Sequence, residues 1–473
     1  MIDKQKLYNT IDENAPEIIA LSDAIWEYAE LSMEEYKSAA YYCELLEKEG
    51  FTVERELCGI PTAFSGSFGS GSPRIGILGE FDALSGLSQV AGSTQKQSLV
   101  PGGNGHGCGH NLLGAGSFGA ALAIKEAIEA GALQGTVIFY GCPGEEGCAG
   151  KTFMARDGMF RDLDAALTWH PGSTNEVTVG SNAACMQVEY SFHGVASHAA
   201  GSPDKGRSAL DAAELMHVGV QFLREHMPPH SSVHYSITDG GGVSPNVVQA
   251  EAKTVFMVRS ETVRKAKELL HRVNNIAQGA ALMTDTQVTT RQIDGTASTV
   301  SNEALEQVMY ENMQQVSIPA YTQEELAFAQ ALHDTCPAAL PGTLSATNRD
   351  IRAFVEEKTD GGKRAMNDFI IPYVPSTMFT PGSTDVGDVS WLTPTAQFTT
   401  ATWVSGTPGH SWQNVSLGKT GIAYKGMLQA AKILAGAAAD LMESPALLEK
   451  IRKEFSKNAA EGYDCPIGKE VTF

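Results

Sequence analysis

The segment Gly102-Gly-Asn-Gly-His-Gly-Cys-Gly-His-Asn111 sets a thiol and an imidazole, Cys108 and His110, on either side of one glycine. Glycine tolerates a turn that lets both side chains aim at one ion, so the pattern points to metal ligation. A glycine-rich turn with an incidental Cys and His is the alternative. The second signal is Cys142-Pro-Gly-Glu-Glu-Gly147, where Glu145 and Glu146 are adjacent. Paired carboxylates at a strand end repel unless a cation neutralises them. Neighbours in an extended loop point opposite ways, so one can ligate metal while the other faces substrate as a base. A solvated acidic turn is the rival reading. His170, in Trp169-His-Pro-Gly172, and His410, in Gly406-Thr-Pro-Gly-His-Ser-Trp412, each read alone as a packed histidine. Number changes that. Cys108, His110, Glu146, His170 and His410 offer five N, S and O donors. That suffices for two ions sharing one bridging ligand, and exceeds what one structural tetrahedral zinc takes.

The surrounding rhythm supplies elements to hold these groups. Residues 4–50 carry apolar positions at helical spacing. Strand, helix, strand, helix, strand then follow at 75–78, 112–130, 136–140, 151–160 and 165–169, the order of a sheet wrapped by helices. Ligands sit beyond the carboxyl ends of such strands. The polar clusters fall there: Glu80 and Asp82, then Glu145 and Glu146, then His170. From 186 the order becomes strand (186–193), helix (208–226), strand (233–238), strand (248–259), helix (262–283) and strand (287–293). This is the ferredoxin-like β-α-β-β-α-β arrangement, expected as a self-contained insertion. A helix at 302–316, an irregular Pro/Gly-bearing stretch at 336–381 and a long amphipathic helix at 421–441 complete the chain. The expected class is α/β, a mixed sheet with flanking helices plus an inserted ferredoxin-like α+β domain. The expected divisions are 1–185, 186–295 and 296–473.

At 473 residues the chain exceeds one core, and 42% hydrophobic with 19% charged residues describes an ordinary globular protein. Thirty-four Lys and Arg against 55 Asp and Glu leave a net charge of −21, which argues against nucleic acid as a partner. Eight cysteines without framework spacing read as reduced thiols, so a cytoplasmic setting is expected. Met1-Ile2-Asp3-Lys4 runs directly into a polar helical pattern, read as no signal peptide. No window approaches ~18 uninterrupted apolar residues, so no membrane association is expected.

Longer segments carry a family resemblance. They include Gly79-Glu-Phe-Asp-Ala-Leu-Ser-Gly-Leu-Ser88, Asn104-Gly-His-Gly-Cys-Gly-His-Asn-Leu-Leu-Gly114, Tyr140-Gly-Cys-Pro-Gly-Glu-Glu-Gly147, Ala165-Ala-Leu-Thr-Trp-His-Pro171 and Ser383-Thr-Asp-Val-Gly-Asp-Val-Ser-Trp391. Nearly end to end the chain resembles the M20 metallopeptidases. Within them it is most similar to the amidohydrolase branch with a Cys-Gly-His ligand motif, and to the B-type subunits of p-aminobenzoyl-glutamate hydrolases there. The resemblance implies a two-metal amide hydrolase, with Cys108 bridging, Glu146 and His410 completing one site, and His110 and His170 the other. It implies Glu145 as the general base that deprotonates the attacking water and passes the proton to the leaving amine. Asp82 would orient a ligand, with a loop cap as the alternative. The inserted domain would be a lid and dimerisation domain. Its His198 would stabilise the oxyanion across a homodimer, and Asn246 and Arg259 would contact the intermediate and the substrate carboxylate. The ions implied are two divalent cations per chain, Mn or Zn with Co as a further option.

The expected reaction is cleavage of the amide of a small N-acyl amino acid, with p-aminobenzoyl-glutamate foremost. A dipeptidase or N-acyl-amino-acid hydrolase of other specificity remains open. So do a non-catalytic subunit and a requirement for a paralogous A-type partner.

Overall fold

Apolar residues at helical spacing close into α1 (Lys4–Glu13), α2 (Ala15–Tyr28) and α3 (Tyr36–Lys48), which bury Ile11, Ile18, Leu21, Ile25 and Leu46. The structure, a computed structural model, describes residues 2–336 and 348–473. Two units emerge, one of Met1–Gly180, Val300–Met378 and Val389–Gly462, the other of Ser181–Thr299, Phe379–Asp388 and Tyr463–Phe473. In the first unit there follow β1 (Thr52–Arg55), β2 (Phe64–Ser70), β3 (Arg74–Glu80), α4 (His110–Glu129), β4 (Gly135–Cys142), α5 (Gly150–Arg156), β5 (Ala165–Gly172) and β6 (Glu176–Val177). Helix α4 is buried along nearly its whole length. Its Gly114 lies so close to the sheet that a Cβ would sit 2.3 Å from the Tyr42 hydroxyl and 2.7 Å from the Glu80 carbonyl oxygen. Only glycine permits that approach.

The second unit contains β7 (Ser181–Asn182), β8 (Ala184–His193), β9 (Ser197–His198), α6 (Ala209–Arg224), β10 (Ser232–Asp239), β11 (Val247–Val248), β12 (Glu251–Ser260), α7 (Val263–Thr284) and β13 (Gln287–Thr296). Strands β10-β12-β8-β13 pair antiparallel in that order, the ferredoxin-like arrangement. Burial alternates along β8 and β12, so one face of the sheet packs with α6 and α7 around Tyr190, Phe192, Phe256 and Leu269. Ser208 and Thr262 cap the two helices by accepting the Asp211 and Lys265 backbone N–H groups.

The remaining elements are α8 (Glu303–Gln315), α9 (Gln323–His333), α10 (Arg349–Lys358), β14 (Phe379–Thr380), α11 (Val386–Ser390), β15 (Thr395–Ala401), α12 (Trp412–Leu417), α13 (Gly421–Glu443) and α14 (Pro445–Asn458). The first unit's sheet runs β1-β2-β4-β3-β5-β15-β6, with β4, β3, β5 and β15 mutually parallel and the flanking pairs antiparallel. The mixed α/β class is therefore as expected. Within the stretch read as irregular, 337–347 lie outside the described residues, whereas 349–358 form α10. Asn348 caps that helix and Ile351 and Val355 are its buried residues. The division read from sequence kept all of 296–473 together. Phe379–Asp388 and Tyr463–Phe473 group instead with the second unit, through β14 pairing with β7 and the Tyr463 hydroxyl donating to Asp388 at 2.7 Å. Among the described residues no helix is long and apolar enough to cross a membrane.

Candidate active site

The parallel strands β3, β4 and β5 all deliver their carboxyl ends to one edge of the first unit's sheet. Strand β3 ends on Glu80, followed by Phe81 and Asp82, and the chain returns through a loop to α4. Gly109, at φ +79°, caps that helix in the left-handed region, so His110 is its first residue and Cys108 precedes the turn. His170 lies within β5, opposite Thr399 of β15. Glu145 and Glu146 occupy a turn closed by Cys148 N–H donating to the Gly144 carbonyl at 3.0 Å, rather than the extended loop read from sequence. Their side chains nevertheless reach different histidines. Glu146 Oε2 is 3.3 Å from His410 Nε2, and Glu145 Oε2 is 4.0 Å from His110 Nε2. His410 has φ +54° and is tied to the glycine-rich segment by its N–H, which donates to the Gly107 carbonyl at 3.1 Å.

Two groups of potential ligand atoms result, Cys108/His110/His170 and Cys108/Glu146/His410, with the atoms of each group within 4.8 Å of one another. Cys108 is common to both. Cys108 Sγ is 3.4 Å from His170 Nε2. Donors about 2.1 Å from a tetrahedral ion lie roughly 3.4 Å apart, so these spacings are those of a ligand cradle. The donors are also left without other work. His110 Nε2 and Glu146 Oε1 are buried with no hydrogen-bond partner. His170 Nδ1 donates to the Pro171 carbonyl at 2.7 Å, which leaves Nε2 as the lone-pair atom facing Cys108. Burial pushes the Cys108 thiol up to about 12, so a thiolate there requires a cation beside it. The residues fit a pair of divalent ions.

Asp82 is the hub beneath this cradle. Fully buried, it accepts from His110 Nδ1 at 2.7 Å through Oδ1, and from Ser32 Oγ and the Glu146 N–H, each at 2.8 Å, through Oδ2. Burial alone would raise this carboxyl, but the hydrogen bond and charge of His110, with the other two donors, hold it below the usual carboxylate range. Glu35 was not anticipated from sequence. Buried just before α3, it accepts the Gly144 N–H at 2.8 Å and the Thr62 hydroxyl at 3.0 Å. Burial and the nearby Asp82 push it up to about 8. Lys151 was also unanticipated as a site residue; it pairs at 2.8 Å with Glu80, which the sequence sets at the end of a strand beside the ligands.

Cys108, His110, Glu145, Glu146, His170, His410 and Asp82 thus come together in the first unit. His198, Asn246 and Arg259 belong to the second. His198 is exposed on β9, its Nδ1 accepting the Ala200 and Gly201 N–H groups at 3.2 and 3.0 Å. Asn246 neighbours it on the β9/β11 ribbon, its carbonyl accepting the Ala199 N–H at 2.9 Å. Arg259 is half-buried on β12 and donates from Nε to Ser383 Oγ at 3.2 Å.

Comparison with known proteins bears on this arrangement. Residues 77–345 match the model of peptidase family M20/M25/M40. The B subunit of p-aminobenzoyl-glutamate hydrolase from Escherichia coli (strain K12) is 43% identical over 478 residues, covering 99% of both chains. The Xaa-Arg dipeptidase of Mus musculus is 30% identical over 467 residues, covering 96% of this chain and 92% of its own. Among solved structures, a dinuclear metal binding peptidase of the M20 family from Bacillus subtilis shares the fold. It superposes with a TM-score of 0.54 at 17% identity, covering 91% of this chain and 99% of its own.

Proposed function

The chain belongs to peptidase family M20/M25/M40 and is a hydrolase of amide bonds, and from that premise we propose that it cleaves N-acyl amino acids, p-aminobenzoyl-glutamate foremost. The observation that carries the reading is the pair of ligand groups sharing Cys108, with the Glu145 carboxylate beside them and outside both. In this reading Cys108 would be shared by both sites, Glu146 and His410 would hold one ion, and His110 and His170 would hold the other. When bound, two divalent ions would supply Lewis acidity toward the scissile carbonyl and toward the attacking water. Glu145 takes the proton of the attacking water and delivers it to the departing amine. Asp82 keeps His110 in the tautomer whose Nε2 lone pair faces the cradle. His198 and Asn246 stabilise the oxyanion, and Arg259 grips the substrate carboxylate with its planar fork. Sulfur favours zinc, while the imidazole and carboxylate donors also suit manganese or cobalt.

The homodimer proposed for the chain is supported by exposed apolar residues on α6 (Val218, Phe222) and on the edge strand β10 (Tyr235, Ile237). A paralogous A-type partner is a further proposal, supported by the name of the E. coli relative, which is one subunit of its enzyme. Cysteine usage supports a cytoplasmic setting.

A second reading, dipeptidase activity, is favoured by the Mus musculus relative, which this chain matches over 96% of its length. A kinetic panel of p-aminobenzoyl-glutamate, other N-acyl amino acids and dipeptides decides between them. The test of the mechanism is Glu145→Gln. Metal content is expected to stay at the wild-type level while turnover falls about 10²–10⁴-fold. Wild-type turnover would remove Glu145 as the base.

A further inference from the structure

Between α2 and α3 the chain makes a turn closed by the Glu34 N–H, which donates to the Leu31 carbonyl at 2.9 Å. Met33 holds that turn at φ +65°, a left-handed position that glycine or asparagine usually fills. Strain of this kind persists where surrounding contacts over-determine it, and it clusters at working sites. The contacts here are with the turn that carries Glu145. A Cβ on Gly144 would sit 3.1 Å from the Met33 sulfur, and one on Gly147 would sit 3.2 Å from Ser32 Oγ. Ser32 also donates to Asp82 at 2.8 Å. The Ala83 N–H, donating to the Glu30 carbonyl at 2.8 Å, ties the segment to the end of β3. Glu35 completes the set. It occupies the N-cap position of α3, yet its side chain caps nothing there. Glu30 does that work, accepting the Lys37 and Ser38 N–H groups at 3.0 and 2.9 Å. Glu35 turns inward instead and is wholly buried. Its Oε1 accepts the Gly144 N–H at 2.8 Å and its Oε2 the Thr62 hydroxyl at 3.0 Å. A carboxyl group this deep is costly unless its oxygens are engaged, and these two donors engage them.

Resting on the reading of Glu145 as the base, we propose that Glu35 is a positioning residue for it, acting through the Gly144 peptide. The anchors on the two sides of Glu145 then differ in what they control. Asp82 holds the Glu146 N–H and so serves the ligand side of the turn, whereas Glu35 holds the Gly144 N–H and serves the base alone. Loss of Glu35 displaces the base while Glu146 keeps its own anchor. Turnover is therefore the quantity that Glu35 governs, and metal binding is not.

The test measures kcat, KM and zinc content of the zinc-loaded enzyme on the best substrate of the kinetic panel above. Glu35→Ala removes the acceptor and should lower kcat about 10–100-fold, with KM and zinc content at the wild-type level. Glu35→Gln keeps an oxygen for Gly144 and offers an amide to Thr62, whose hydroxyl turns to accept it, so it should recover most of the turnover. In a Glu145→Gln background Glu35→Ala should cost less than about twofold more, because the group it positions is already gone. Should Glu35→Ala not fold, Thr62→Val replaces it by freeing Glu35 Oε2, with kcat expected to fall about 3–10-fold at unchanged zinc content. The proposal is overturned if Glu35→Ala, or Thr62→Val in its place, keeps wild-type kcat or loses zinc along with turnover. It is overturned equally if Glu35→Gln falls as far as Glu35→Ala, or if Glu35→Ala costs as much beside Glu145→Gln as it does in the wild type. Wild-type turnover in Glu145→Gln alone would instead defeat the base reading, and the proposal with it.

Discussion

Replacing Asp82 by asparagine exchanges one oxygen for an amide in a place where all three hydrogen bonds arrive from donors. Oδ1 accepts from His110 Nδ1 at 2.7 Å, and Oδ2 from Ser32 Oγ and Glu146 N–H at 2.8 Å. An asparagine that keeps its oxygen toward His110 turns its amide onto Ser32 and Glu146. The serine hydroxyl can rotate away, but the Glu146 N–H cannot, and a buried unsatisfied donor costs about 1–3 kcal/mol. The charge-assisted bond to His110 loses a further ~1.5–3 kcal/mol. A flipped amide instead accepts from Ser32 and the Glu146 N–H with its oxygen, but donates to Nδ1 and drives the ring proton to Nε2, the atom facing the ion site. That orientation keeps all three hydrogen bonds and loses only the charge assistance, so the metal-free protein should be destabilised by about 1.5–3 kcal/mol, read from urea denaturation. Either orientation should also lower zinc affinity about 10–100-fold, read by competition with a chromogenic chelator. An Asp82→Asn protein with both the wild-type urea midpoint and the wild-type zinc affinity would refute the assignment of Asp82 as the hub.

Gly109→Ala forces a side chain into the left-handed region with its Cβ 3.0 Å from that of Pro171, so Cys108 and His110 should splay and zinc stoichiometry fall below wild type. The backbone term alone is about 1–2 kcal/mol. Burial raises the Glu306 carboxyl to about 7, although Tyr373 donates to it at 3.0 Å. Its folded value exceeds the unfolded one, so its contribution is full below about pH 4.5 and is lost as pH rises through 7, about 3 kcal/mol in all. Glu306→Gln should therefore gain stability over wild type between pH 5 and 8, and parallel urea midpoints across that window would exclude it. If His198 acts on the neighbouring copy's substrate, mixing inactive His198→Ala and Glu145→Gln chains should restore part of the activity. No recovery from verified mixed dimers would remove that role.

The ligands were legible because the chemistry concentrates them. Cys108 and His110 share one glycine-rich motif, and Glu146 and His170 follow apolar runs that any buried parallel strand displays. Strands β2 and β15 escaped notice for the opposite reason. Phe64-Ser-Gly-Ser-Phe-Gly-Ser70 and Thr395-Ala-Gln-Phe-Thr-Thr-Ala401 lack the apolar density of a central strand, and their pairing with β4 and β5 decides their conformation. Position 35 reads as an acidic residue ahead of a helix, and nothing local says that Gly144 will bring its N–H there. Lys151 reads as a surface residue of a short helix, until the fold sets it against the end of β3. The residues that bind are carried by local motifs. Those that hold the binders in place are created by distant packing.

The same division explains how Glu145 is positioned. The backbone N–H of Gly144, on one side of it, is held by Glu35, and that of Glu146, on the other, is held by Asp82. Both anchors are buried carboxyl groups, and both accept from main chain, so the turn is pinned at each flank while the Glu145 side chain itself stays partly accessible, at 15%. A general base must stay within reach of the water it deprotonates, then turn toward the leaving amine. Anchoring the flanking peptides restricts where the carboxylate can be without restricting which way it turns. Asp82 also aligns His110, so the base and the ligand beside it are referenced to one carboxylate, and a shift of that carboxylate would displace both.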